Sequence, residues 1–339
     1  MNDLILGWDV GGAHLKRAVL APDGTLLSVD MAACPLWQGL DQLDIAMAAL
    51  PPVAGRSVAT MTGELTDLWP DRATGVAGLS AALVERLGPD LRIYAGRAGF
   101  IGGTDAAAHA GDVASANWHA TGAAIARLLG DGVLMDIGST TSDIIHFAGK
   151  HICFRGYADC ERLESGELVY SGAVRTPVMA LAATLPFRGR PVPLMAEHFA
   201  TTADIHRLTG ALPEGADLHP TADGGPKTRE ASARRLLRMV GRDLGPATLE
   251  EAERLAASAA EMQLHRLHRA LALVLSAGAV PLGAPLVGAG VGRFLVRELA
   301  VRSGRPYLDG GLVLAGTTTL ASAAADCAPA VAVGHLAIA

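Results

Sequence analysis

The chain has 339 residues with 28 Lys and Arg against 34 Asp and Glu, a formal charge of -6 and a pI near 6.0, and its basic residues stand singly, which excludes the basic stripe that a nucleic-acid backbone needs. Half of the residues are hydrophobic and the mean hydropathy is +0.31, enough for a large core. Because single cores stop growing near about 250–300 residues, two domains are expected, 1–130 and 131–339, with the C-terminal helix free to pack back on the first. Cys34, Cys153, Cys160 and Cys327 form no CxxC pair, which excludes a zinc knuckle and a disulfide framework and predicts buried free thiols in a reducing cytosol.

In chain order, the opening "ILGWDVGGAHLKRAVL" predicts a strand, a glycine turn and a second strand, with Asp9 at the first turn and Lys16 on the returning strand. Its apolar run is stopped by Trp8 and Asp9 and lacks a basic leader, so a signal peptide is not expected. "RSVATMTGE" and "LRIYAGRAG" predict further strands, and helical patterns cover 75–87 and 106–129. "GVLMDIGSTTSDIIHFAGKHICF" then repeats the order of the opening, with Asp136 and Gly138 lying 127 positions after Asp9 and Gly11. That repeat is of domain scale. A largely helical insertion follows over about 161–277, and its longest helix, 248–275, carries a Thr248 cap with Glu251 three residues later. The uncharged stretch 270–292 contains Pro281 and Pro285 and reads as a helix end, a loop and a buried strand, so no membrane partner is expected. "APLVGAGVG" (strand and turn), "RFLVRELAVRSG" (helix), "RPYLDGG" (strand) and an Ala-rich helix over 314–325 complete the second α/β lobe.

The paired turns carry the chemistry. Gly11 and Gly12, and Gly138 with Ser139, Thr140 and Thr141, let successive backbone N–H groups point at one spot, an anion cradle. An acid beside each cradle repels phosphate unless a divalent cation lies between, so Asp9 and Asp136 are expected to bind Mg²⁺ shared with phosphate oxygens. Two cradles would hold the two ends of a polyphosphate, and Lys16 would neutralise a leaving phosphate as a point charge. Gly288, Gly290 and Gly292 form a third glycine turn. A dinucleotide fingerprint there fails, because its third glycine falls on Arg293 or on Leu295, so neither nicotinamide nor flavin is expected. His265 and His268 share a helix face without a carboxylate or Cys partner and read as structural.

"DVGGAHLK" and "DIGSTTSD" resemble the first and second phosphate motifs of the actin, sugar kinase and heat-shock-chaperone ATPase superfamily, and "LVGAGVGRFL" resembles its third, adenosine-side motif. Within it the chain resembles the hydantoinase A and oxoprolinase family, and more narrowly that family's methanofuran-biosynthesis group, linked to tetrahydromethanopterin one-carbon transfer. "MTGELTD", "GSTTSDI", "GELVYSGAVRTPV" and "TADGGPKTREASARRLLRMVGRD" add to the match, which spans nearly the whole chain. Hydantoinase and oxoprolinase subunits carry Thr and Asp where this chain has Ala13 and Lys16, a departure that points away from ring opening.

The resemblance implies a two-lobed actin-like (ribonuclease H-like) fold of duplicated α/β domains with a helical insertion in the second lobe. It implies a cytoplasmic transferase that condenses a furanmethyl diphosphate with the phenol of a glutamyl-tyramine or tyrosine and releases diphosphate. Asp9, Lys16, Glu64 and Asp136 are then the catalytic residues, Glu64 being the base for the phenol with Asp67 behind it. Gly11, Gly12, Gly138, Ser139, Thr140, Thr141, Arg175, Gly288, Gly290 and Gly292 bind phosphate, and Arg175 alternatively clamps a glutamyl carboxylate. The partners are small molecules, and a homodimer is compatible with this reading. An ATP-dependent hydrolase or small-molecule kinase is the alternative, and only there is ATP a cofactor.

Overall fold

A computed structural model describes residues 4–245 and 248–338 and has mixed α/β architecture. The apolar run before Asp9 forms β1 (Ile5–Val10), buried along its whole length, and returns as β2 (His14–Leu20) and β3 (Leu26–Ala33). β4 (Arg56–Met61), β5 (Arg92–Tyr94) and β6 (Phe100–Gly102) complete a six-stranded sheet in the order β3-β2-β1-β4-β5-β6. β1 runs antiparallel to β2 and parallel to β4, which sets Asp9 opposite Lys16 on one side and Thr60 on the other.

The two-residue period of a strand gives β1 two faces. Leu6, Trp8 and Val10 enter a core with Val76, Leu79 and Leu83 of the helix Arg72–Leu87. Gly7, on the other face, lies against the backbone of Ala330 and Gly334 in the helix Ala328–Leu336. Asp9 shares that face, so the acid at the end of β1 lies on the side covered by this C-terminal helix.

The second copy forms β7 (Gly132–Ile137), β8 (Ser142–Ala148) and β9 (His151–Cys153). After β10 (Leu168–Val169), a separate hairpin of β11 (Thr184–Phe187) and β12 (Arg190–Pro193) interrupts the insertion. β13 (Leu286–Ala289) and β14 (Tyr307–Asp309) then complete a sheet in the order β10-β8-β7-β13-β14, with β9 paired to β8. The insertion has a core of its own, in which Ile205, Leu236, Leu237, Leu255 and Ala256 bring the helices Thr202–Thr209, Arg229–Arg238 and Leu249–Leu275 together.

Two compact units result, and they interleave along the chain. One runs up to Leu134 and takes in Ile145–Cys153 and the residues from Leu308 onward; the other holds Met135–Ile144 and Phe154–Tyr307. A single boundary at 130 therefore does not describe them.

Local expectations fail where side-chain chemistry finds another partner. The helix expected over 106–129 is a 3₁₀ stretch, Gly103–His109, a short helix, Ala110–Val113, and a longer one, Asn117–Leu129, because Ser115 takes a positive φ of 55° in between. The Thr248 capping box does not form: Thr248 Oγ1 bonds back to Gly245, and Glu251 pairs with Arg188 at 2.9 Å. The single Ala-rich helix divides at Gly316, whose φ is 65°, into Gly310–Ala315 and Thr318–Asp326. Cys34 and Cys327 are buried free thiols as expected, whereas Cys153 is part-exposed and Cys160 is exposed. Among the described residues, no helix is long and apolar enough to cross a membrane.

Candidate functional site

The turn after β1 is closed by its first glycine: Gly11 N–H donates to His14 O at 3.0 Å. That amide is used up, so the cradle expected from Gly11 falls instead to the amides of Gly12 and Ala13, which meet no acceptor among the described residues. Their carbonyls are pinned from behind, by Leu36 N–H on Gly12 O at 3.0 Å and Cys34 N–H on Ala13 O at 2.9 Å. The turn is therefore held by its oxygens and leaves nitrogens open.

Asp9 is only 4% exposed, and its Oδ2 lies 3.4 Å from Lys16 Nζ while its buried Oδ1 has no hydrogen-bond partner among the described residues. Burial pushes the Asp9 carboxyl above its ordinary range, and the charge of Lys16 only partly offsets this. Thr60 Oγ1, on the neighbouring strand, is likewise buried without a partner. An oxygen in this state has room for a cation or a hydroxyl donor, since unsatisfied buried polar atoms are costly. Cys327, the cap of the helix Ala328–Leu336, lies within electrostatic reach of both Asp9 and Lys16, and burial pushes its thiol up to about 12. The approach of this helix terminus to Asp9 is not visible in the sequence, because 318 positions separate the two residues (327 − 9).

Glu64 sits in the 3₁₀ turn after β4 and is 1% exposed. Its Oε1 accepts from Ser115 N–H at 2.8 Å and Ser115 Oγ at 3.1 Å, its Oε2 has no hydrogen-bond partner among the described residues, and burial holds its carboxyl above the ordinary range. The residue behind it is thus Ser115, in the strained break between two helices; Asp67 is exposed. The same turn packs on the first glycine turn, since a Cβ on Gly12 would lie 2.9 Å from Thr66 Cγ2. Glu64, Gly12 and Asp9 accordingly belong to one neighbourhood.

The second turn repeats the first. Gly138 N–H donates to Thr141 O at 2.9 Å, and the amides of Ser139 and Thr140 meet no acceptor among the described residues. Here the carbonyls are held by the loop from Ser171 to Thr176: Ala173 N–H reaches Gly138 O at 2.9 Å, and Val174 and Arg175 N–H reach Ser139 O at 3.1 and 2.9 Å. Gly172 lies so close that a Cβ would run into the Ser139–Thr140 peptide. Gln263 in turn fixes this loop, donating to Gly172 O at 2.9 Å and Ser171 Oγ at 3.2 Å, while its own Oε1 meets His206 Nε2 at 2.7 Å. Burial lowers the His206 imidazole to about 4, so the ring is neutral at pH 7. Gln263, His206 and Ser115 are residues that sequence reasoning missed; only the surrounding glycines hinted at a tight contact.

Asp136 lies at the end of β7, part-buried, and the third glycine turn is packed on it. Gly290 has a φ of 74°, and a Cβ there would stand 2.6 Å from Asp136 Oδ1. A Cβ on Gly292 would strike Ile137, and one on Gly288 would come within 2.9 Å of Tyr307. Each of the three glycines thus meets protein atoms, which accounts for its small size without a ligand. Arg175 is exposed, with its backbone beside the second turn. Of the other basic groups, Arg229 pairs with Glu253 at 2.6 Å and Lys227 with Asp217, whereas Arg235, which is fully buried, grips Asp204 at 2.6 Å and Asp223 at 3.1 Å. His119 is buried on Tyr94 OH at 2.8 Å. No group of three or more His, Cys, Asp and Glu side chains could cage a metal among the described residues.

The hydantoinase/oxoprolinase family model matches residues 56–328. A (4-{4-[2-(gamma-L-glutamylamino)ethyl]phenoxymethyl}furan-2-yl)methanamine synthase of Methanocaldococcus jannaschii is 31% identical over 244 residues, which is 72% of this chain and 73% of that protein. A synthase of the same name from Methanococcus vannielii is 33% identical over 120 residues, 35% of this chain and 53% of that protein. Among solved structures, nucleotide-free acetone carboxylase superposes with a TM-score of 0.52 at 12% identity, covering 99% of this chain and 70% of that one. The α/β architecture is the actin-like one, and the chain belongs to the hydantoinase/oxoprolinase family.

Proposed function

We propose that the chain is a biosynthetic transferase that forms the aryl ether of a methanofuran-type cofactor. In the reaction a phenol oxygen forms a bond to the methylene carbon of a furanmethyl diphosphate, the carbon–oxygen bond to diphosphate breaks with its electron pair leaving on diphosphate, and the phenol gives up its proton. The observation that carries the reading is the 31% identity, over 72% of the chain, to a synthase named for the product of such a condensation.

The site chemistry suits that step. Ionisation of a furfuryl ester leaves positive charge that the ring delocalises, so the protein's main task is to stabilise growing charge on diphosphate. In this reading Lys16 and the open amides of Gly12 and Ala13 receive that charge in the first unit, and the amides of Ser139 and Thr140 beside Asp136 offer the same chemistry in the second. Asp9, with its unpartnered Oδ1, fits Mg²⁺, an ion that takes one or two carboxylates and completes its shell with water and phosphate oxygens. Mg²⁺ bound there would neutralise phosphate oxygens. A phenol with a pKa near about 10 benefits from a base, and Glu64, with a raised carboxyl pKa and an unbonded Oε2, is assigned that role, Ser115 fixing its other oxygen.

The purified chain is tested with a furanmethyl diphosphate and a glutamyl-tyramine, following diphosphate and product mass. Diphosphate release that requires the phenol, with a product of the ether's mass, is the expected result. ATP turnover in place of ether formation would overturn the reading in favour of an ATP-dependent enzyme.

A further inference from the structure

Arg175 is placed by its own backbone. Its amide donates to Ser139 O at 2.9 Å, which fixes the residue beside the second turn, yet its side chain is exposed and, among the described residues, its guanidinium has no ion pair and no hydrogen bond. His219 lies within electrostatic reach of both Arg175 and Lys227. His219 is part-buried, and burial followed by the charge of Arg175 holds its imidazole below the ordinary value, with Lys227 adding to the effect and Asp217 opposing it. Lys227 is tied to the segment carrying His219, Nζ donating to Asp217 O at 2.6 Å and lying 3.6 Å from Asp217 Oδ1.

Asp217 is the acid that could quench this positive group, and it is already engaged: Arg207 Nη2 lies 2.5 Å from Asp217 Oδ2. Lys227 takes its other oxygen, and Arg207 is shared with Asp204 at 3.5 Å, so this cluster is balanced within itself, and among the described residues Arg175 has no countercharge. An exposed guanidinium without a countercharge attracts an incoming anion. A planar guanidinium also selects the geometry of its anion, because its parallel N–H groups match the two oxygens of a carboxylate.

We propose that Arg175, with His219 and Lys227 around it, forms an oxyanion subsite beside the second glycine turn that takes the glutamyl carboxylate of the phenolic acceptor. The ligand assignment rests on the transferase reading above, whose relatives are named for a glutamylamino product. Carboxylate and diphosphate share oxyanion chemistry, and the probes below separate the two sources.

Titration calorimetry on the full chain compares wild type with Arg175→Gln and Arg175→Lys, with circular dichroism to confirm that both variants fold. Three probes are used: γ-glutamylethylamide, which has the single free α-carboxylate and no phenol, tyramine, which has the phenol and no carboxylate, and diphosphate. Arg175→Gln should weaken γ-glutamylethylamide by about tenfold, the scale of one charge-assisted contact, with Arg175→Lys in between and tyramine and diphosphate changed by less than about twofold. Unchanged or undetectable γ-glutamylethylamide binding, or an equal loss for diphosphate, would overturn the subsite. The two readings fail separately. Arg175-dependent binding of γ-glutamylethylamide without ether formation removes the transferase and keeps the subsite, whereas ether formation by Arg175→Gln at the wild-type KM for glutamyl-tyramine does the reverse.

Discussion

At the scale of single residues, Asp9 shows a conflict between stability and function. Burial raises its carboxyl pKa in the folded chain above the ordinary 3.8, so the folded state holds the proton more tightly than the unfolded one. Asp9 is therefore least costly to the fold below pH 4, and it destabilises progressively as pH rises from there through the raised value. Asp9→Asn keeps the shape and removes the buried charge, leaving a part-exposed Lys16 that water can solvate. It should raise the melting temperature at pH 7, with the gain vanishing near pH 4, while turnover falls by about 10²–10³-fold, the scale seen when one preorganised electrostatic group is lost. A lower melting temperature at pH 7 would mean that the Lys16 pair outweighs burial. Lys16→Met should lower kcat by a similar factor of about 10² and change KM little, because diphosphate charge grows toward the transition state. A change confined to KM would make Lys16 a binding group only.

At the scale of elements, what matters is how a loop supports a turn. The loop from Ser171 to Thr176 carries the Ser139–Thr140 peptide, and Gln263 and His206 support the loop from behind. His206 is lowered from 6.5 to about 4, so the unfolded chain binds a proton that the folded chain refuses, and stability present above pH 6.5 is lost as pH falls toward 4. The loss amounts to on the order of 3 kcal/mol, and His206→Gln should flatten this part of a stability–pH profile measured by urea unfolding. A slope unchanged by the substitution would place the acid sensitivity elsewhere. The motif "GELVYSGAVRTPV" was readable as a signature of this region, but its work was not, because Gln263 joins it from 91 positions away and no spacing in the chain reports that contact. Glu64 shows the same limit: the resemblance gave the acid the role of base with Asp67 behind it, while its partner Ser115 lies 51 positions on, inside what the apolar pattern presented as an unbroken helix. The third turn is also packed on its neighbours. Gly290 combines a φ of 74° with contact to Asp136, so Gly290→Val disturbs Asp136 whether the chain takes ATP or a diphosphate ester. It should cost about 1–3 kcal/mol by overpacking, with added backbone strain, and it does not discriminate between the two ligands.

At the scale of the whole molecule, the paired Asp-Gly hairpins were legible because a domain-scale repeat preserves its order, and both turns close with the same four-residue hydrogen bond, Gly11 to His14 and Gly138 to Thr141. A return of the C-terminal helix to the first lobe was anticipated, whereas the joining of 145–153 to the first unit was not legible, since no local pattern encodes that packing. The choice between a diphosphate ester and ATP is likewise a property of the whole chain, and ligand-linked stability tests it without altering any residue. A ligand that binds only the folded state stabilises it by mass action, about 2.7 kcal/mol at a hundredfold excess over Kd. With Mg²⁺ present, diphosphate should raise the melting temperature more than ATP at equal concentration, because in the transferase reading the third turn has no nucleoside to receive and its glycines are filled by Asp136, Ile137 and Tyr307. Asp9→Asn should abolish the Mg²⁺ dependence of that protection while leaving the metal-free baseline in place. Protection by ATP that exceeds protection by diphosphate, and that persists in Asp9→Asn, would remove both the diphosphate site and the role given to Asp9.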